Sequence, residues 1–233
     1  MPRTIDLNAD LGEGFPWDRA LLDRVTSASI CCGAHAGDPE TIVQTLRWAE
    51  ERGVIVGAHP GYADRAGFGR RELSLGSTAI LGLVRRQVDD LTRQAEEAGT
   101  TLRFVKPHGA LYNQAQRDGS VAIRLLTALS NRPMPILGLP GGEVERRANL
   151  LHLPFISEGF VDRRYLPDGR LVPRTEPGAN LRDPDAIRAQ VLSLVARGIQ
   201  TLCIHGDDPR SVELADLVLA TLSEAGIQPE GFA

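Results

Sequence analysis

Four of the five histidines follow a short apolar stretch: Ile30-Cys31-Cys32-Gly33-Ala34-His35, Ile55-Val56-Gly57-Ala58-His59, Phe104-Val105-Lys106-Pro107-His108 and Leu202-Cys203-Ile204-His205. Carboxylates obey the same grammar. Asp6 and Asp10 alternate with apolar residues in Ile5-Asp6-Leu7-Asn8-Ala9-Asp10, Glu13 sits between two glycines, and Asp207 follows His205 by two. Imidazoles and carboxylates exchange protons near neutral pH, and both ligate metals. Lys106 and Tyr112 flank His108, and a lysine at such a position suits a substrate carboxylate or phosphate. The chemistry these types permit is acid–base work on a small polar substrate.

The residues need a scaffold that brings successive strand ends together. Apolar runs predict strands at 4–9, 27–33, 54–56, 102–105, 135–139, 155–157 and 201–204. The opening stretch of each chemical block is thus a strand, and Pro107 with Gly109 stops the one carrying Lys106. Helical patterns fall between: a short one at 18–25, a capped one from Asp38-Pro39-Glu40 to Gly53, and a long one at 77–98. Others cover 118–130, 143–150, Asp183-Pro184 to Gly198, and Asp208-Pro209 to Gly226. Strand–helix alternation implies parallel strands with right-handed crossovers. An open doubly wound sheet gathers its polar groups at one switch point; here they follow nearly every strand, which favours a closed α/β barrel of seven parallel strands, one domain spanning residues 1–233.

A net charge of −4 with both signs mixed gives no basic face for nucleic acid. No apolar run approaches membrane-spanning length, and the start lacks a signal-peptide core, so a cytoplasmic protein without membrane contact is expected. Three cysteines, two of them adjacent, give neither a disulfide framework nor zinc-type spacing.

Individual motifs carry competing readings. Asp6 and Asn8 share a strand face and point into the barrel if Ile5 and Leu7 pack outward; buried carboxylates need partners there, so a substrate role competes with a polar structural layer. The loop Arg65-Ala66-Gly67-Phe68-Gly69-Arg70-Arg71 reads either as an anion clamp or as a solvated turn. Cys31, Cys32 and Cys203 read as small apolar strand residues, and His152, between leucines, as structural. No HxH, HExxH or HxxxH motif is present, so a divalent metal is permitted without being indicated. Neither GxxxxGK[ST] nor a strand-following GxGxxG occurs, so a nucleotide used in the reaction has no standard site in this chain.

Eight blocks, in order along the chain, resemble the LamB/YcsF family, the A subunits of ATP-dependent bacterial 5-oxoprolinases. They are Asp6-Leu7-Asn8-Ala9-Asp10-Leu11-Gly12-Glu13, Cys32-Gly33-Ala34-His35-Ala36-Gly37-Asp38-Pro39, Gly57-Ala58-His59-Pro60-Gly61-Tyr62 and Gly67-Phe68-Gly69-Arg70-Arg71. The others are Val105-Lys106-Pro107-His108-Gly109-Ala110-Leu111-Tyr112-Asn113, Glu158-Gly159-Phe160-Val161-Asp162-Arg163, Leu171-Val172-Pro173-Arg174 and Ile204-His205-Gly206-Asp207. Two features depart from the pattern: the abrupt Gly198-Ile199-Gln200-Thr201 before the last strand, and Cys31 before Cys32.

The resemblance implies a barrel of the glycoside hydrolase and polysaccharide deacetylase kind. It also implies cleavage of 5-oxo-L-proline to L-glutamate coupled to ATP hydrolysis, with two partner subunits that hold most of the ATP site. On that footing the expected catalytic residues are Asp10 or Glu13 with His59 on the attacking water, His108 on the leaving nitrogen and Lys106 on the oxyanion. Asp6, Asn8, His35, Arg70, Tyr112, His205 and Asp207 are the expected substrate-binding residues. A stand-alone metal-dependent carbohydrate deacetylase or amidohydrolase, and a non-catalytic ligand carrier or regulatory component, are the rival expectations.

Overall fold

A computed structural model describes residues 3–132 and 134–232. Its strands are β1 (Arg3–Leu11), β2 (Ser27–Cys31), β3 (Ile55–His59), β4 (Leu102–Val105), β5 (Ile136–Gly138), β6 (Phe155–Phe160), β7 (Thr201–Ile204) and β8 (Ile227–Pro229). Helices α1 (Asp18–Leu22), α2 (Pro39–Glu51), α3 (Ser77–Glu97), α4 (Gly109–Arg117), α5 (Gly119–Ala128), α6 (Glu143–Leu150), α7 (Pro184–Ala196) and α8 (Ser211–Glu224) join them. The parallel order β2-β3-β4-β5-β6-β7-β1 closes on itself through the β1–β2 pairing, so the expected seven-stranded barrel forms.

Local chemistry explains most boundaries. Asp38 accepts a hydrogen bond from Thr41 N and Asp183 one from Ala186 N, each followed by proline in the first turn of α2 or α7. The expected start at Asp208-Pro209 moves to Ser211, because Asp208 caps a turn at Arg210 N. Expected helix 118–130 is α5, but α4 precedes it unforeseen: Gly109, at φ 52°, turns the chain straight from β4 into a helix. Tyr112 is therefore a helical residue. Strand β6 runs three residues past its expected end, carrying Glu158 into the barrel wall.

The eighth strand was also unforeseen. It is three residues long and pairs with the first residues of β1, outside the closed ring. Phe232, just beyond it, packs its ring 5.2 Å from Phe104, among Ile55, Leu137 and Ile156, at the amino-terminal end of the barrel. A Cβ at Gly57 would overlap the Phe104 ring, so only glycine lets that ring cross the floor.

Above this apolar floor the barrel interior is polar. Ile5 and Leu7 pack outward in the core, leaving Asp6, Asn8 and Asp10 on the inner face of β1. Ser27, Ser29, Glu158, Thr201 and Lys106 are buried with them. Burial of so many polar groups requires partners for each, and the hydrogen bonds described next supply most of them.

Candidate active site

The lowest polar layer belongs to Asp6. Its carboxylate accepts from Thr26 Oγ1 at 2.7 Å, from Ser27 Oγ at 2.9 Å and from Thr201, and it does not reach the cavity. This ties β1 to β2 and β7; burial still raises its pKa despite those donors. Asn8 stands one layer higher, donating to Thr201 Oγ1 at 2.7 Å and accepting from Lys106 Nζ at 3.1 Å.

Lys106 is the hub. Its ammonium, 1% exposed as a side chain, lies 2.8 Å from Asp10 Oδ1, 2.7 Å from Glu158 Oε1 and 2.9 Å from Cys203 Sγ. Three N–H donors with four heteroatoms around them leave none for a ligand. Burial opposes the charge, yet Asp10, Cys203 and Glu158 outweigh it and hold Lys106 protonated well above the ordinary lysine range. Burial likewise opposes ionisation of Asp10, and Lys106 with the nearby histidines more than offsets it, so Asp10 is a carboxylate. Cys203 belongs to this polar cluster, a correction to its reading as an apolar strand residue; burial keeps it a thiol.

Beside Asp10 stand three imidazoles and Glu13. His59 Nε2 is 3.5 Å from Asp10 Oδ2, and His59 Nδ1 is 2.8 Å from the Lys106 carbonyl. His108 Nδ1 is 2.9 Å from His59 Nε2, and its Nε2 is 2.8 Å from the Phe68 carbonyl. Both nitrogens of His108 thus face polar atoms of the protein. His35 stacks face to face on His108, ring centroids 3.8 Å apart, with Nε2 3.1 Å from Glu13 Oε1. Burial pushes His35 down to about 4, and His59 and His108 well below the ordinary imidazole range. Burial, with the charges of Asp10 and Asp207, raises Glu13 well above the usual carboxylate range.

Glycine shapes this pocket. A Cβ at Gly69, at φ 63°, would lie 2.8 Å from His35 Cβ and 2.9 Å from His108 Cδ2. Of the loop arginines, Arg65 donates to the carbonyls of Gly33 and Gly37 at 2.7 Å each, and Arg71 pairs with Asp64. Arg70 alone of the three turns to the cavity, where it pairs with Asp207.

Above the cluster opens a cavity of about 550 Å³, reached by Asp10, His59, Lys106, His108, Tyr112 and His205. His205 Nδ1 lies 2.8 Å from Asp162 Oδ2, and the Phe160 ring stacks on the imidazole at 5.2 Å. A carboxylate only accepts, so Nδ1 carries the proton and Nε2 is the basic nitrogen. Burial disfavours the Asp162 carboxylate, but His205 outweighs it and holds the pKa below the usual range. Arg70, Arg163 and Arg174 share the cavity wall. Arg163 is 4% exposed and donates to the Val172 carbonyl at 2.5 Å; burial and then the charge of Arg174 lower it to about 10. Its Nε lacks a hydrogen-bond partner among the described residues.

The structure therefore gathers Asp10, Glu13, His35, His59, Lys106 and His108 at the barrel mouth, with Arg70, Tyr112 and His205 lining the cavity and Asp207 paired with Arg70. Asp6 lies below them. Unforeseen members are Glu158, Asp162, Arg163, Arg174 and Cys203. Glu158 shares the two-residue period of Ile156 and Phe160, a signal that was readable in the strand; the arginines stand on a long loop without any periodicity.

Two ligand sets of metal-binding type occur among the described residues: Glu13, His35, His59 and His108, and Asp10, Cys203 and His205, each with ligand atoms within 4.8 Å of one another. In the second set, the Lys106 ammonium already sits 2.8 Å from Asp10 and 2.9 Å from Cys203, so a cation occupies that position.

Comparison with known proteins agrees with this architecture. The chain is 43% identical to the A subunit of 5-oxoprolinase from Methylococcus capsulatus (strain Bath), over 97% of this chain and 95% of that one. The crystal structure of the lactam utilization protein from Thermus thermophilus superposes with a TM-score of 0.91 at 36% identity, covering 98% of this chain and 100% of the other. A family 4 carbohydrate esterase from Streptomyces lividans shares the fold at TM-score 0.57 and 12% identity, covering 99% and 93% of the two chains. That likeness bears out the deacetylase-like barrel. The LamB/YcsF family model matches residues 5–233, and this chain belongs to the LamB/YcsF family.

Proposed function

We propose that this chain performs the ring-opening step of an ATP-coupled hydrolysis of 5-oxo-L-proline to L-glutamate, in assembly with two partner subunits that hold most of the ATP site. The observation that carries the reading is the cavity itself, which sets Arg70, Arg163 and Arg174 against the Asp162–His205 pair. A lactam acid presents one permanent carboxylate and one amide to be cleaved. Arginine forks recognise carboxylates bidentately, and Arg163 retains an unpaired Nε–H in a buried position. The names of two full-length relatives, one a 5-oxoprolinase component and the other a lactam utilization protein, support the same substrate class.

Opening the ring requires water to add to the lactam carbonyl carbon, the C–N bond to break, and the nitrogen to gain a proton. His205 Nε2 takes the proton from water and returns it to the leaving nitrogen, while Asp162 holds the imidazole in the required tautomer. Asp10, kept ionised by Lys106, aligns the water. Lys106 acts through Asp10 and Glu158 and positions them; this replaces the oxyanion role expected of it, since its N–H groups are taken. Likewise His108, whose Nε2–H is held by the Phe68 carbonyl and whose Nδ1 faces His59, yields the acid role to His205. A five-membered lactam is a poor electrophile, and phosphoryl transfer from ATP to its oxygen by the partners makes it a better one; once water has added and the C–N bond has broken, the phosphoryl group remains on the new carboxyl as an acyl phosphate, which a second water hydrolyses to glutamate and phosphate.

A cytoplasmic setting belongs to this reading, and the free thiols of Cys31, Cys32 and Cys203 suit a reducing compartment. Among the described residues no helix is long and apolar enough to cross a membrane.

The test measures glutamate release from 5-oxo-L-proline and ATP by this chain alone, the partner subunits alone, and all together. Glutamate from the complete mixture only is the expected result. Its absence from every mixture, with partners verified in a homologous assembly, overturns the reading and favours independent action on a carbohydrate amide.

A further inference from the structure

Two buried imidazoles in this protein face one another with bare nitrogens. His59 Nδ1 lies 2.8 Å from the Lys106 carbonyl oxygen, which can only accept, so Nδ1 carries the proton and Nε2 has a lone pair. His108 Nε2 lies 2.8 Å from the Phe68 carbonyl oxygen, so its proton is on Nε2 and the lone pair is on Nδ1. Those two lone pairs meet at 2.9 Å. Neutral rings in this orientation repel, and a cation between them converts the repulsion into binding.

The arrangement is held in place by backbone. Phe68, a non-glycine residue at φ 53°, adopts the left-handed conformation that aims its carbonyl at His108, at a cost on the order of 1 kcal/mol. A histidine that binds metal through one nitrogen usually donates the other N–H to a carbonyl or carboxylate, and both rings do so here. Glu13 Oε1 completes a third corner, 3.5 Å from His108 Nδ1 and 4.0 Å from His59 Nε2. Ligands about 2.0–2.2 Å from a tetrahedral ion stand roughly 3.2–3.6 Å apart, a spacing these three atoms bracket.

We propose that Glu13, His59 and His108 bind one divalent transition-metal ion of the imidazole-preferring kind, such as Zn²⁺, through Glu13 Oε1, His59 Nε2 and His108 Nδ1. Two nitrogens and one carboxylate favour zinc, cobalt, nickel or iron over magnesium or calcium. His35 is the positioning residue: its Nε2 donates to Glu13 at 3.1 Å and its ring braces His108. Three protein ligands leave a coordination position open, and His59 and His108 line the cavity floor. Metal content is read without turnover, so this inference stands or falls apart from the lactam reading.

The experiment measures metal in the chain purified without chelator, by elemental analysis, and then titrates Zn²⁺ into the stripped chain against a chromophoric competitor. One equivalent per chain is expected, with Co²⁺ giving the visible absorption of a nitrogen- and oxygen-bound ion. His59→Gln and His108→Gln should lose the ion, His35→Asn should weaken it by about 10–100-fold, and His205→Asn should keep it. Wild-type thermal unfolding guards against variants that fail to fold, because Zn²⁺ binding to the native state must raise the melting temperature of the stripped chain. A stripped wild-type chain that takes up neither Zn²⁺ nor Co²⁺ and gains no thermal stability overturns the proposal. So does metal that persists in His59→Gln and His108→Gln but leaves with His205→Asn.

Discussion

The Lys106 ammonium lies 2.7 Å from Glu158 Oε1, and neither side chain reaches solvent. With Asp10 on the other side, one cation neutralises two buried carboxylates. Lys106→Met leaves both without a counter-charge and should destabilise the fold by about 3–5 kcal/mol, lowering the melting temperature by roughly 6–20 °C. Adding Glu158→Gln to Lys106→Met should recover part of that loss. Thermal unfolding of the two single variants and the double variant checks the coupling; additive losses would mean that the two groups do not interact.

Asp162 sets the tautomer of His205. Asp162→Asn presents an amide that can donate or accept, so the basic nitrogen is no longer fixed. The expected effect is a fall in kcat of about 10²–10⁴-fold in the assembled enzyme, with little change in KM. Steady-state glutamate release measures it, and the split between kcat and KM separates this role from a structural one. An unchanged kcat would remove the pair from the mechanism.

Which features were legible depended on whether local pattern or distant contact decides them. Asp10, His59, Lys106 and His108 were legible because each closes an apolar strand run, and parallel barrels bring such ends together. Glu158 sits one pleat inside β6, where its charge looked like a strand terminator; the partner that makes burial tolerable, Lys106, is 52 residues earlier. Arg163 and Arg174 lie on the long loop after β6, with no period to read, and their convergence depends on a chain path that Val172 helps to set. The opposed lone pairs of His59 and His108 depend on two backbone carbonyls, those of Lys106 and Phe68, whose directions no side-chain pattern encodes. The helix α4 escaped notice because Pro107 and Gly109 signal a loop, whereas here they bracket the one-residue cap before a helix.

Arg174 reaches the cavity from that loop, and its Nη1 stands 3.9 Å from Asp207 Oδ2, long for a committed ion pair. A substrate carboxylate is the better partner. Arg174→Met should raise KM for 5-oxo-L-proline by about 10–100-fold and leave kcat nearly unchanged, the signature of binding shared by ground and transition states. An unchanged KM with lowered kcat would move Arg174 to the reacting centre.

The histidines should make the stability of this protein depend on pH. His35 falls from 6.5 in the unfolded chain to about 4 in the fold, and burial lowers His59 and His108 as well. Between those values the unfolded chain binds more protons, so stability is complete above pH 6.5 and is lost as the pH drops toward 4. Asp18, raised by burial from 3.8 to about 6, acts oppositely: its protonated native form gains stability as the pH falls through that window. Asp6 and Glu13, also raised by burial, oppose the imidazoles as Asp18 does, so the histidine share is isolated by difference. In urea unfolding with chelator present, the stability lost on His35→Asn should be smaller at about pH 5 than at about pH 7.5. A loss independent of pH would contradict the buried neutral state of His35.

The far end of the barrel offers a separate test. Phe232 lies half-buried against Phe104, at a ring distance of 5.2 Å, and Glu230 N donates to the Ile5 carbonyl at 2.9 Å where β8 meets β1. This segment covers an apolar floor that the closed ring leaves open, which explains why a three-residue strand persists outside the ring. Phe232→Ala removes a partly buried ring and should cost about 1–3 kcal/mol, with no change in metal binding or in KM, because the whole polar interior stands between Phe232 and the cavity. The urea midpoint measures the first effect, while zinc titration and kinetics measure the second. A variant that keeps its stability would show that the floor is sealed by Phe104, Leu137 and Ile156 alone; one that loses zinc would show that the floor and the histidine cluster move together.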